Sequence, residues 1–161
     1  MSLTATLRTS LASRRHWRQR YEAHFASLAP PPRGSLTGRF QGEFVGPLWV
    51  RLGAPVLLAV LGMPRWWGKE FSARGEGVNL VRRGRQLLPA VPLVLREAPS
   101  RVDGQRGMQV EYPPEAAHWR LFVDELRWLN GKTLLAMTRV NLPLVRRLRV
   151  PFLLHQVAAT S

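Results

Sequence analysis

The stretch S-L-T-G-R-F-Q-G-E-F-V-G-P, residues 35–47, sets Phe40 and Phe44 on one face together with Gly38, Gly42 and Gly46. Thr37, Arg39, Gln41 and Glu43 occupy the other face. Alternation with a period of two marks a half-buried strand. Glycine weakens a strand unless the backbone must bend there or pass close to another group. A small closed barrel asks for both, because its strands coil tightly around a narrow interior. On this reading Phe40 and Phe44 fill that interior and the polar face meets solvent. The expected fold is mainly β: a small antiparallel barrel, with an N-terminal amphipathic helix and a short apolar lid helix.

The remaining chain agrees with that frame. R-G-M-Q-V-E-Y alternates Met108, Val110 and Tyr112 against Gln109 and Glu111, and Asp103-Gly104 makes a turn before it. W-R-L-F-V-D-E-L-R-W-L, N-G and K-T-L-L-A-M-T-R-V, residues 119–140, read as a hairpin. Asn130-Gly131 predicts a type I′ turn, which sets Leu126 opposite Leu135 and Trp128 opposite Thr133. Asp124 and Arg139 then share a face, as neighbours able to form a buried ion pair, whereas a three-residue loop would invert every face.

Outside the strands, residues 3–28 repeat Leu3, Leu7, Leu11, Trp17, Tyr21, Phe25 and Leu28 at helical spacing, ending before Pro30-Pro31-Pro32. Residues 1–33 are thus a helix and connector, and 34–161 one barrel domain. The run L-G-A-P-V-L-L-A-V-L-G-M-P, residues 52–64, is too short for the ~20 residues that span a bilayer. It predicts a lid helix starting near Pro55 and ending at Gly62.

The 161 residues carry 24 Lys and Arg against 10 Asp and Glu, a formal charge of +14, and all but Lys69 and Lys132 of the basic residues are arginine. Such a charge attracts polyanions, either an anionic membrane surface or nucleic acid. V-R-R-G-R, residues 81–85, has no aromatic residue close by for stacking bases, so nucleic acid is the weaker of the two. The absence of cysteine excludes disulfides and thiolate chemistry and fits a cytoplasmic protein, peripheral to the membrane.

G-R-F-Q-G, residues 38–42, and W-W-G-K-E-F, residues 66–71, resemble elements of a bacterial family named for its G-x-W-x-G motif. Asp103-Gly104, M-Q-V-E-Y, D-E-L-R at 124–127 and V-P-F-L-L at 150–154 extend the resemblance over roughly residues 36–155. Phe40 stands where that family has tryptophan, which keeps an aromatic plug but removes an indole donor. The motif is in turn similar to the calycin group, lipocalins and fatty-acid-binding proteins. That resemblance implies a barrel holding an apolar ligand.

Catalytic signatures are missing. His16, His24, His118 and His155 have no metal-ligand spacing, and no nucleophile elbow, phosphate loop or dinucleotide fingerprint is present. No metal, cofactor or enzymatic activity is expected. The expected function is binding of a hydrophobic or amphiphilic, lipid-like small molecule. Phe40, Phe44, Trp67, Met108, Leu126, Trp128 and Met137 are the expected lining, with Arg127 or Arg139 orienting a polar head. A basic nucleic-acid-binding barrel and a filled structural barrel are the alternatives.

Overall fold

The computed structural model describes residues 16–159. The first part of the expected N-terminal helix, 3–15, lies outside the described residues. Helix α1 covers residues 16–27. After it come β1 Gly38–Phe44, α2 Leu48–Val60, β2 Trp66–Phe71, β3 Glu76–Arg83, β4 Gln86–Pro99 and β5 Arg106–Glu111. A 3₁₀ segment Pro114–Leu121, then β6 Phe122–Asn130, β7 Thr133–Val140 and β8 Arg149–Gln156 complete the chain. The eight strands close a barrel in sequence order, each antiparallel to the next, and β8 returns to β1.

Strand alternation divides the side chains cleanly between interior and exterior. Phe40, Phe71, Leu93, Leu126, Ala136 and Leu154 pack together inside, with Leu36 beside them. Gly42 on the inward face of β1 leaves the space that the Trp66 ring fills, since a Cβ there would lie 2.3 Å from that ring. The glycine-bearing face of β1 is therefore an interior face, as its pattern predicts.

The outer wall carries a second, smaller core. Phe25 of α1 is buried against Leu135 and Met137, with Tyr21, Leu28 and Leu153 around them. The helix thus lies along the side of the barrel rather than across its end. An ion pair of Glu22 with Arg149 at 2.9 Å ties it down.

Two expectations about local structure are corrected. The β6–β7 pairing runs Asp124↔Thr138, Leu126↔Ala136 and Trp128↔Leu134, then shifts to Asn130↔Thr133. The turn is Gly131-Lys132, with Asn130 Oδ1 accepting from Lys132 N at 2.9 Å, and Leu129 is the extra residue of a bulge. Neither Asn130 nor Gly131 has a positive φ, so no type I′ turn forms. The one-residue change sends every β7 side chain to the opposite face from the expected one.

The lid helix starts at Leu48 behind Pro47, well before Pro55, which sits inside it. Its end is as expected: Gly62 adopts φ +98°, Met63 N donates to Leu58 O and Gly62 N to Ala59 O. This is the paired closure that a left-handed glycine permits.

Candidate functional site

Antiparallel alternation brings the β1–β2, β3–β4, β5–β6 and β7–β8 connections to one end of the barrel. The first of these carries α2, the third the 3₁₀ segment. Beneath them lies a cavity of about 130 Å³, walled by Phe44, Leu57, Leu58, Met63, Trp119, Phe122, Val150 and Phe152. At the opposite end the barrel is plugged by the core around Phe40 and Leu36.

Between the two lies a buried polar cluster. β2 contributes Lys69 and Trp66, β3 Asn79, β6 Asp124, β7 Thr138, and Tyr112 follows directly after β5. Two irregularities aim these groups. The β2–β3 register shifts between Trp66 and Gly68, so Trp66 and Lys69 both face inward despite their odd spacing. Gly68 permits this crossing, because a Cβ there would lie 2.0 Å from Phe40 O. The β3–β4 register shifts opposite Asn79, leaving Val91 O to accept from Asn79 Nδ2 at 3.3 Å.

Lys69 is the hub of the cluster. Its three N–H donors meet Asp124 Oδ2 at 3.0 Å, Asn79 Oδ1 at 2.9 Å and Tyr112 OH at 2.9 Å. An ammonium has only three donors, so none is left over. Asn79 Oδ1 also accepts from Trp66 Nε1 at 3.1 Å, and Asp124 Oδ1 from Thr138 Oγ1 at 2.7 Å. The rings of Trp66, Tyr112 and Phe152 lie 5.4 to 5.9 Å from the ammonium, in range for cation–π attraction.

Burial is the largest single influence on Lys69 and opposes its charge. Attraction to Asp124, together with Tyr112 and the hydrogen bonds, outweighs it and holds the ammonium above the ordinary lysine range. Burial pushes the Tyr112 hydroxyl up, against the smaller opposing effect of Lys69. At neutral pH the cluster therefore pairs an ammonium with a neutral phenol.

One donor is uncommitted. Tyr112 OH accepts from Lys69 and from Asn79 Nδ2 at 3.3 Å, and neither bond uses its own hydrogen. The cluster thus offers the cavity an O–H donor next to an ion pair that is already neutralised. Among the described residues no three His, Asp or Glu side chains converge as metal ligands would.

The chain is similar in fold to a protein from Thermomonospora curvata known from its crystal structure. The two share 21% identity with a TM-score of 0.66, over 85% of each chain. At that identity the likeness establishes the small barrel fold and nothing further. No family model matches the chain, and no curated protein matches it.

Of the residues expected to line a ligand, Phe44 does so. Phe40, Leu126 and Trp128 face inward but belong to the packed interior. Met108 lies toward the far end of the barrel, in a groove with Leu36, Ser72 and Arg74. Trp67 is displaced by the bulge, and Trp66 takes the cavity instead. The indole N–H of Trp67 is buried without a partner.

Met137 and Arg139 are on the outside of the wall as a consequence of the hairpin register, and Arg127 is outside because it alternates with the inward Leu126 and Trp128 along β6. Met137 sits under α1. Arg127 lies 5.0 Å from the Phe25 ring centroid and pairs with Asp103 at 3.1 Å. Arg139 pairs with Glu125 at 3.4 Å, so the expected Asp124–Arg139 pair does not form. Neither arginine can orient a ligand inside the barrel.

Lys69, Asn79, Tyr112 and Thr138 are not among the residues expected to line the ligand. One signal was present: Lys69 is one of two lysines in an arginine-rich chain, two residues from Phe71 and so on its face of the strand. An ammonium suits a compact three-donor hub better than a guanidinium does.

Proposed function

We propose that the protein binds one end of a hydrophobic or amphiphilic small molecule in the barrel, in a calycin-like manner and without transforming it. The supporting observation is the apolar cavity with the uncommitted Tyr112 hydroxyl at its base. A barrel filled purely for stability has no use for six converging polar side chains, since burying them costs more than apolar packing. The bound end carries a neutral hydrogen-bond acceptor, such as a carbonyl or ester oxygen. A carboxylate or phosphate would bring an uncompensated charge beside the Lys69–Asp124 pair, which has no free donor for it.

The cavity volume suits a ring or a short chain; cavities near 150 Å³ hold benzene. The rest of a longer ligand leaves past Leu57 and Leu58 of α2. The resemblance to the G-x-W-x-G family belongs to the same proposal, with Phe40 as the aromatic plug beneath the site. Native mass spectrometry of freshly purified protein, followed by organic extraction, tests it. A stoichiometric neutral-headed apolar adduct is expected, lost in Ala54→Trp, which fills the cavity that Ala54 of α2 also lines, and weakened in Tyr112→Phe. An adduct of unchanged occupancy in Ala54→Trp, or a clean apo mass together with no uptake of monoacylglycerol, overturns the reading.

A further inference from the structure

Helix α2 is apolar on all sides. Val50 is 2% exposed and faces the barrel beside Ala54 and Leu58, yet Leu48, Leu52, Val56 and Val60 form a second stripe at steps of four that is more than 60% exposed throughout. A surface helix normally turns polar groups outward, and Arg51 is the only charge in this one. The β7–β8 connection at the same end of the barrel adds Leu142 and Leu144, the latter 99% exposed. Among the described residues, every exposed large apolar side chain except Val157 lies at this end. Exposed apolar side chains gathered at one end of a barrel mark a contact surface.

The charge around the patch selects the partner. The four connections at this end carry Arg51, Arg65, Arg85, Arg120, Arg146 and Arg147 against a single carboxylate, Glu115. All six arginines are exposed, and among the described residues none of them forms an ion pair. A second copy of the chain meeting this face would set arginines against arginines. Nucleic acid would satisfy the arginines but has no use for exposed leucine and valine. A surface that is anionic outside and apolar just beneath satisfies both features at once.

We infer that the α2 end of the barrel docks on an anionic phospholipid bilayer, with the outer stripe of α2 and Leu144 entering the headgroup boundary and the arginines contacting phosphate. This orientation turns the mouth of the cavity toward the membrane, but the docking itself does not depend on the cavity being occupied. Helix α2 lies in the surface rather than crossing it: among the described residues no helix is long and apolar enough to span a bilayer.

Flotation with vesicles of phosphatidylcholine alone, and of phosphatidylcholine with phosphatidylglycerol, tests the assignment. Binding is expected only to the anionic vesicles and falls as salt rises. Val60→Asp with Leu144→Asp, and separately Arg146→Glu with Arg147→Glu, each lower the bound fraction roughly tenfold or more. Arg74→Glu, at the opposite end, leaves it unchanged. Circular dichroism checks that these exposed positions tolerate the substitutions and that the barrel is preserved.

Equal binding to both vesicle types, no binding to either, or indifference to the substitutions overturns the inference. So does a dimer abolished by the same substitutions, or an oligonucleotide bound more tightly than the vesicles. Ala54→Trp is expected to float with the vesicles like the unaltered protein, so a failed cavity and a failed docking face give separate results.

Discussion

Lys69 and Asp124 should be coupled strongly enough to read in a double-mutant cycle. Their side chains are 3% and 5% exposed and 3.0 Å apart. At an effective dielectric of about 20 the gross attraction is ~5 kcal/mol, set against several kcal/mol of desolvation for each ion. Lys69→Met leaves Asp124 buried with Thr138 as its hydrogen-bond donor, and Asp124→Leu leaves the ammonium without a counter-charge. Each should cost about 3–5 kcal/mol.

In a chain of this size that lowers the midpoint of thermal unfolding by on the order of 10 °C. Lys69→Met with Asp124→Leu removes both charges and should be less destabilised than either single variant by at least ~1 kcal/mol. The remaining cost reflects lost partners for Asn79, Tyr112 and Thr138. Urea unfolding of the four proteins, followed by circular dichroism, gives the coupling. Single variants within ~1 kcal/mol of the parent, or a double variant equal to the sum of the singles, would refute the buried pair as the organiser of the interior.

The same cluster sets the alkaline limit of stability. Lys69 and Tyr112 both hold their protons more tightly when folded. The folded state therefore binds more protons above about pH 10, and stability falls there by up to ~1.4 kcal/mol per pH unit for each group, having been constant below. Urea titrations from pH 8 to 11 check this, and Lys69→Met should show a shallower decline.

Gly42→Ala forces a methyl into the Trp66 ring and should cost ~1–3 kcal/mol with a change in tryptophan emission. Gly53→Ala, in α2 with nothing within 4 Å of the new methyl, should instead stabilise by roughly 0.5–1 kcal/mol. Arg127→Met should lose roughly 3 kcal/mol by leaving Asp103 unpaired and Phe25 without its guanidinium. Uptake of cavity ligand should persist, because Arg127 is outside the wall. Loss of uptake by folded Arg127→Met would return that arginine to the site.

The wall of the barrel was legible in local pattern. Period-two alternation in residues 35–47, 106–112 and 119–140 specifies strands, and the glycines among phenylalanines in β1 specify an inward face, because burial of alternate side chains is a property of the strand itself. The positive φ of Gly62 ending an apolar helix was equally local. The start of that helix was not, since Pro55 reads as a first-turn residue while packing of Val50 and Leu58 on the barrel extends the helix back to Leu48.

Function depended on what local pattern does not carry. Whether a hairpin turns at Asn130-Gly131 or at Gly131-Lys132 changes the chain by one residue, yet it decides whether Arg139 or Thr138 reaches the interior. The bulge at Trp66–Gly68 exchanges one tryptophan for its neighbour. Lys69 with Asn79 and Asp124 with Thr138 are cross-strand neighbours, but these two pairs and Tyr112 come together only across the closed barrel. Sequence alone determined that there would be an inside. Register and closure, both set by packing across strands, decided which side chains occupy it.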